Sequence, residues 1–123
     1  MDAEELLQRY ATGERDFANI EFSSTHLDGE DLREINLSGA NLIAVDLSGT
    51  NLRDANLDEA RLICTNLTAA NLEGATLRGA DLSGADCIGT NFRNTDKVVW
   101  FVKLFGQMEN SLKVPIGSTD VLT

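Results

Sequence analysis

The chain has 123 residues, 42% of them apolar and 24% charged, with a single proline; that length supplies one small domain and excludes a second large one. Twenty acids against ten bases leave a net charge of −10, which argues against a general nucleic-acid or anionic-membrane binder, because attraction to phosphates needs a Lys/Arg surplus. One histidine and two cysteines make no Cys/His cluster, no apolar run approaches the roughly 20 residues that span a bilayer, and the acidic start Met1-Asp2-Ala3-Glu4-Glu5 lacks the basic and apolar parts of a signal peptide. These features imply a soluble, cytoplasmic protein with reduced thiols and no metal or cofactor, whose partners are other proteins.

In chain order, residues 1–14 predict a helical N-terminal cap. Asp2 followed by Glu5 resembles a capping box, Ala3, Leu6, Leu7 and Tyr10 fall at helical spacing, and Gly13 is a natural stop. A helix over residues 3 to 12 is expected.

From residue 15 to 96 the pattern changes to a strict period of five. Apolar residues occupy sixteen successive centres: Phe17, Phe22, Leu27, Leu32, Leu37, Leu42, Leu47, Leu52, Leu57, Leu62, Leu67, Leu72, Leu77, Leu82, Cys87 and Phe92. Two residues before the centre the side chain is small or apolar in fourteen cases, Arg15 and Glu30 being the exceptions. The residue just before the centre is Asn or Asp in twelve cases, and Gly stands two after it in seven.

A period of five suits neither a straight helix, where the leucines would drift around the axis, nor a flat strand, where they would alternate faces. For every leucine to point inward the chain must bend once per pentapeptide, and the glycines supply the positive φ that such turns require. These repeats resemble the pentapeptide-repeat family. The resemblance covers about 80 of the 123 residues and implies an all-β solenoid, a right-handed quadrilateral parallel β-helix of about four coils, roughly 19 Å tall at the inter-strand spacing. In that fold each central Leu contributes on the order of 1.5–3 kcal/mol by burial, Ala fills the corner beside it, and Asn or Asp bonds backbone groups of the turns. Asp31, Asn51, Asn71 and Asn91 recur in register and predict an Asn ladder along one face.

Residues 97–123 form a hydrophobic C-terminal cap and tail, since a solenoid must cover its open ends. The register fails at Lys97, and the segment through Phe105 supports either a helix, started by Thr95 or Asp96 and ended by Gly106, or a strand, given its β-branched and aromatic content. Its apolar surface is wider than one contact needs, so Trp100, Phe101, Leu104 and Phe105 either receive Leu112, Val114 and Ile116 as an intrachain cover or form a homodimer contact.

No catalytic constellation emerges. His26 precedes a centre and is expected to face solvent without a nucleophile beside it; Cys87 replaces a central Leu as a buried small hydrophobe, and Cys64 sits on the outer corner, so the two sulfurs point in opposite senses. Glu30 is the one acid at an inward corner. It is expected either to be let out by an irregular first coil or to pair with Arg9 or Arg15. Asn36-Leu-Ser and Asn66-Leu-Thr match the glycosylation pattern only because the repeat generates it.

Ile43 and Ile63 stack at outward positions, flanked by Ser23 and Ser83 with Ile88 on a neighbouring face, and with the C-terminal cluster they are the candidate interaction surfaces. The expected function is a non-enzymatic structural or protein-interaction module. The resemblance also implies an alternative, a DNA-mimicking binder or modulator of a type II topoisomerase. Charge is placed poorly for that mimicry: residues 1–34 carry −7, 35–96 carry −4 and 97–123 carry +1, and no outward column is continuously acidic, the nearest being Glu34, Asp54, Gly74, Asn94 and Asp46, Asn66, Asp86.

Overall fold

The computed structural model describes residues 1–95. The region 97–123, with Trp100, Phe101, Leu104 and Phe105, lies outside the described residues. The chain opens with one helix, α1 (Ala3–Ala11), and then winds through parallel bridges that each join a residue to the one twenty positions further on, from Asp16↔Asn36 to Asn71↔Asn91.

Each bridge is a small piece of parallel ladder. Around Asn36 and Asn56, for example, the Leu37 N–H donates to Asn56 O at 2.8 Å and the Asn56 N–H donates to Ile35 O at 2.9 Å. Between bridges the chain turns: the N–H three residues past a centre donates to the carbonyl of that centre, as in Ile35 to Leu32 (3.2 Å) and Ala60 to Leu57 (3.1 Å). Four such turns occur per rise of twenty residues, so the bridges and turns together make a four-sided column, which the period of five alone does not dictate. The first side carries Phe17, Leu37, Leu57 and Leu77, the second Phe22, Leu42, Leu62 and Leu82, the third Leu27, Leu47, Leu67 and Cys87, and the fourth Leu32, Leu52, Leu72 and Phe92.

The core follows these files. Every centre except Phe22 is buried, and Leu42, Leu62 and Leu82 stand in one inner file at 0% exposure. The corner position two before each centre holds Ala40, Ala55, Ala60, Ala70, Ala75, Ala80 and Ala85, all buried. At the corners Thr50, Thr65 and Thr90 the hydroxyl finds a carbonyl one coil away: Thr50 donates to Leu27 O and Thr65 to Leu42 O, each at 2.9 Å, and Thr90 to Leu67 O at 2.6 Å. The polar atom is satisfied without leaving the core.

The Asn/Asp preference has a local cause. All twelve Asn or Asp residues that precede a centre accept, through a side-chain oxygen, the backbone N–H two residues on, at 2.9–3.4 Å. This Asx arrangement fixes the entry to each turn. The expected ladder exists as a backbone column, Asp31 to Asn51 to Asn71 to Asn91, and carries a side-chain rung where Asn91 Nδ2 donates to Asn71 Oδ1 at 3.3 Å. Its oxygens serve the turns first.

The turn position two after the centre has positive φ at fifteen of the sixteen repeats, with Ser24 the exception. Seven of these are Gly, but Asn19, Glu34, Ala44, Asp54, Glu59, Cys64, Ala69 and Asn94 adopt φ near 60° as well. The expectation that glycine supplies this geometry is therefore only half of the account. One turn residue with positive φ between others that are not is the type II pattern, and the paired backbone enforces it even on side chains that disfavour it.

The first coil departs from the repeat at residues 22–25. Phe22 is only half-buried, and Thr25 is exposed although it occupies a corner position. Here the chain start runs alongside in place of a preceding coil: Ser23 N donates to Met1 O at 2.8 Å, the Met1 amino group donates to Glu21 O at 3.0 Å, and Ala3 N donates to Ser24 Oγ at 2.9 Å. Helix α1 begins as expected, with Asp2 accepting from Glu5 N at 2.9 Å, and ends one residue early, with Thr12 as its C-cap. It seats Leu6, at 0% exposure, on the end of the column, and Arg9 lies 5.3 Å over the Phe17 ring. Capping thus extends the apolar core rather than closing it with polar groups.

Candidate functional site

Three places on the described surface are candidates for chemistry or recognition. The first is the outer wall of the second side. The column just after the centres reads Ser23, Ile43, Ile63, Ser83, and the next reads Ser24, Ala44, Cys64, Gly84. Neither column holds a charge. Ile43 is 38% exposed, while Ile63 is half-buried, so the pair is less prominent than its register suggests; Ile88, on the third side, is 51% exposed. Asp46 and Asp86 stand in the column between those two walls, so the three isoleucines do not merge into one patch.

The second place is a shallow cleft of about 230 Å³ between α1 and the fourth side, lined by Tyr10, Arg15, Arg33 and Glu34. Tyr10 Oη donates to Arg33 O at 2.8 Å, and the Arg15 guanidinium lies 3.7 Å over the Tyr10 ring. Burial pushes the Tyr10 hydroxyl up from its ordinary range. Arg33 makes two bonds to Asp31 at 3.0 Å, which hold that carboxyl below the usual carboxylate range, and Arg15 donates to Tyr10 O and Glu14 O. The cationic groups are committed to the junction. The cleft is smaller than the few hundred Å³ typical of ligand pockets, and its geometry serves the docking of α1.

Glu30 is half-buried, and among the described residues it pairs with neither arginine: Arg9 engages Glu14, and Glu5 at 3.8 Å. The irregular first coil accommodates it. Cys64 is exposed and Cys87 buried, both free; burial pushes the Cys87 thiol up to about 12, against a weaker opposing hydrogen bond from Thr90. A thiol so held is a packing group, not a nucleophile.

The third place is one that sequence reasoning missed. His26 is exposed, as expected, but it is not solitary: its Nδ1 lies 3.4 Å from Asp28 Oδ1 and 3.8 Å from Asp46 Oδ2. The signal was present in the register, because a period of twenty sets residue 46 beside residue 26. Asp46 Oδ1 accepts from Ser48 N at 2.9 Å and from Ser48 Oγ at 2.6 Å, and these bonds, followed by the nearby imidazole, hold its carboxyl below the ordinary range.

Comparison with known proteins agrees with this geometry. Residues 16–54, 35–74 and 55–96 match a family described as Pentapeptide repeats, in eight copies. A pentapeptide repeat protein from Nostoc Pcc 7120 is similar at 28% identity over 94% of this chain and 98% of that one, with a TM-score of 0.73. Another, from the cyanobacterium Cyanothece 51142, shares 31% identity over 82% of this chain and 60% of its own length, TM-score 0.64. A third, from the Arabidopsis thaliana thylakoid lumen, shares 38% identity over 55% of this chain and 47% of its own, TM-score 0.54. The chain therefore spans about half of the last relative and three fifths of the second. A search of curated proteins found no match. These neighbours imply that the four-sided column is a right-handed quadrilateral β-helix. Among the described residues no helix is long and apolar enough to cross a membrane.

Proposed function

The chain belongs to the pentapeptide repeat family, and from that premise we propose that it acts as a non-enzymatic protein-interaction module in the cytoplasm, meeting its partner through the two uncharged columns of the second side that hold Ile43 and Ile63, beside the charged column of Glu21, Arg61 and Asp81. The observation that carries this reading is the contrast on that wall: in a protein of net charge −10, two adjacent outward columns across four coils hold no charge and present Ile43 at their centre. Interface cores are depleted in charge in the same way. The backbone beneath is bonded on both sides, so the surface is held rigid and a partner loses little entropy in ordering it.

Affinity capture from cells that make the protein tests this, with the parent beside the double variant Ile43→Glu/Ile63→Glu. One protein retained in stoichiometric amount by the parent and lost by the variant supports the wall as the contact. Equal capture by both removes it. A homodimer through Trp100, Phe101, Leu104 and Phe105 is a separate proposal, tested by light scattering on Phe101→Asp.

The topoisomerase reading finds less support. Outward columns such as Glu34, Asp54, Gly74, Asn94 lose their acids toward the C-terminal coils, where a phosphate mimic needs charge at each step. Purified protein in stoichiometric excess is expected to leave gyrase supercoiling unchanged, and inhibition would restore that function in place of the one proposed.

A further inference from the structure

We propose that His26, Asp28 and Asp46 form a surface site for a single divalent cation of the borderline class, with Zn²⁺ as the natural probe. The donor atoms are Nδ1 of His26, Oδ1 of Asp28 and Oδ2 of Asp46, and they lie within 4.8 Å of one another. A tetrahedral ion with ligands at ~2.1 Å separates them by about 3.4 Å. The distances of 3.4 and 3.8 Å from the imidazole are close to that edge length already, so a small rotation of exposed side chains completes the set.

The scaffold gives these donors a fixed relation. The backbone of residue 46 is clamped against residues 25 and 27 by Asp46 N donating to Thr25 O (2.8 Å) and Leu27 N donating to Asp46 O (2.9 Å). Residue 28 is held in a turn whose next residue, Gly29, donates to Ser48 O at 2.9 Å. Ser48 also takes the far oxygen of Asp46 through two hydrogen bonds, leaving Oδ2 turned to the imidazole. Outer partners of this kind orient a metal-binding carboxylate. Two carboxylates balance a dication, and imidazole nitrogen selects zinc, nickel or copper over calcium and magnesium, which prefer all-oxygen sets. Three protein donors leave room for water or for a ligand from a partner.

His26 is the only histidine, so its imidazole C–H resonances report the site directly. Titration of the full chain with zinc chloride at neutral pH, followed by NMR and by calorimetry, is expected to shift those resonances to a 1:1 endpoint. Asp46→Asn and Asp28→Asn should each weaken binding at least about tenfold, while Cys64→Ser leaves it unchanged. Asparagine already stands in the same column at Asn66, so Asp46→Asn keeps the fold, and an unchanged circular dichroism spectrum checks that. Resonances that do not move, or equal affinity in parent and Asp46→Asn, overturn the proposal, the second because the imidazole then binds alone.

Discussion

Two glycines at equivalent turn positions are expected to differ in what they tolerate. Gly49 and Gly74 have φ of +65° and +75°. A Cβ built on Gly49 meets nothing within 4 Å, whereas one on Gly74 runs into Asp54 Oδ1 and lies 3.3 Å from its Cγ. The left-handed conformation costs an alanine about 1–2 kcal/mol, offset by roughly 0.4–1 kcal/mol from the lost freedom of the unfolded chain. Gly49→Ala should therefore destabilise by about 1 kcal/mol, in keeping with Ala44 and Ala69, which already hold φ near 60°. Gly74→Ala must in addition turn the Asp54 carboxylate away from its place above the turn, and a displaced rotamer adds about 0.5–1.5 kcal/mol. A cycle with Asp54→Ala isolates that term: the double variant should fall back to the Gly49→Ala cost, with a coupling of about 1 kcal/mol. Urea denaturation followed by circular dichroism measures all five proteins, the parent and the four variants. Equal costs at Gly49 and Gly74, or a coupling of zero, would refute the idea that glycine is used where the coil below sends a side chain across it.

The remaining predictions concern the core, the thiols and the cap. Leu57, at 0% exposure in the middle of its file, should cost about 2–5 kcal/mol on change to Ala, and Leu57→Asp should abolish the cooperative transition by burying a charge; an intact thermal transition in Leu57→Asp contradicts the inward file. A thiol reagent at mildly alkaline pH should label Cys64 alone in the folded protein, with Cys87 reacting only after denaturation. Because folding lifts the Cys87 thiol from 9.0 to about 12, the unfolded chain gives up that proton first. Its contribution is complete below pH 9 and is lost as the pH rises from there to 12, by up to about 4 kcal/mol. A parent that loses no more stability over this interval than Cys87→Ala contradicts it. Asp2→Ala removes the acceptor for Glu5 N and should cost about 1 kcal/mol, read as a lower urea midpoint.

What could be read from the sequence was whatever the period of five expresses locally. The centres, the small corners, the bend and the helix over the first residues all depend on side-chain volume and turn chemistry within a few positions. The side-on pairing of the chain start with residues 21–24 does not, because the Ser23 N–H to Met1 O bond joins segments with no shared repeat. That pairing goes with the greater exposure of Phe22 and Thr25, which keep the backbone register and whose residue types fit it. The positive φ at Glu34, Asp54 and Glu59 was hidden for the opposite reason: the residue types argue against it, and only the cooperative ladder above and below imposes it. Ile63 differed in degree, since alignment gives direction but not the depth to which neighbours cover a side chain.

The pairing of His26 with Asp46 shows how the surface of such a column should be read. In a helix the neighbours of a side chain lie three and four residues away, but here they lie one coil away, at twenty, as the bridges from Asp16↔Asn36 to Asn71↔Asn91 require. A surface cluster in this fold is thus assembled from residues that look isolated along the chain, and one substitution alters a single rung while leaving the rungs above and below intact. The core tolerates this because at twelve of the sixteen repeats the outward residue before the centre meets the turn through one side-chain oxygen, a demand that Asn and Asp satisfy equally: Asp46 bonds Ser48 N and Asn66 bonds Thr68 N in the same way. Charge at that position can therefore vary from coil to coil with little effect on folding. The outer columns are where the sequence is free to specify an ion or a partner, and the third side, where His26 meets two carboxylates, uses that freedom at the coil nearest the cap.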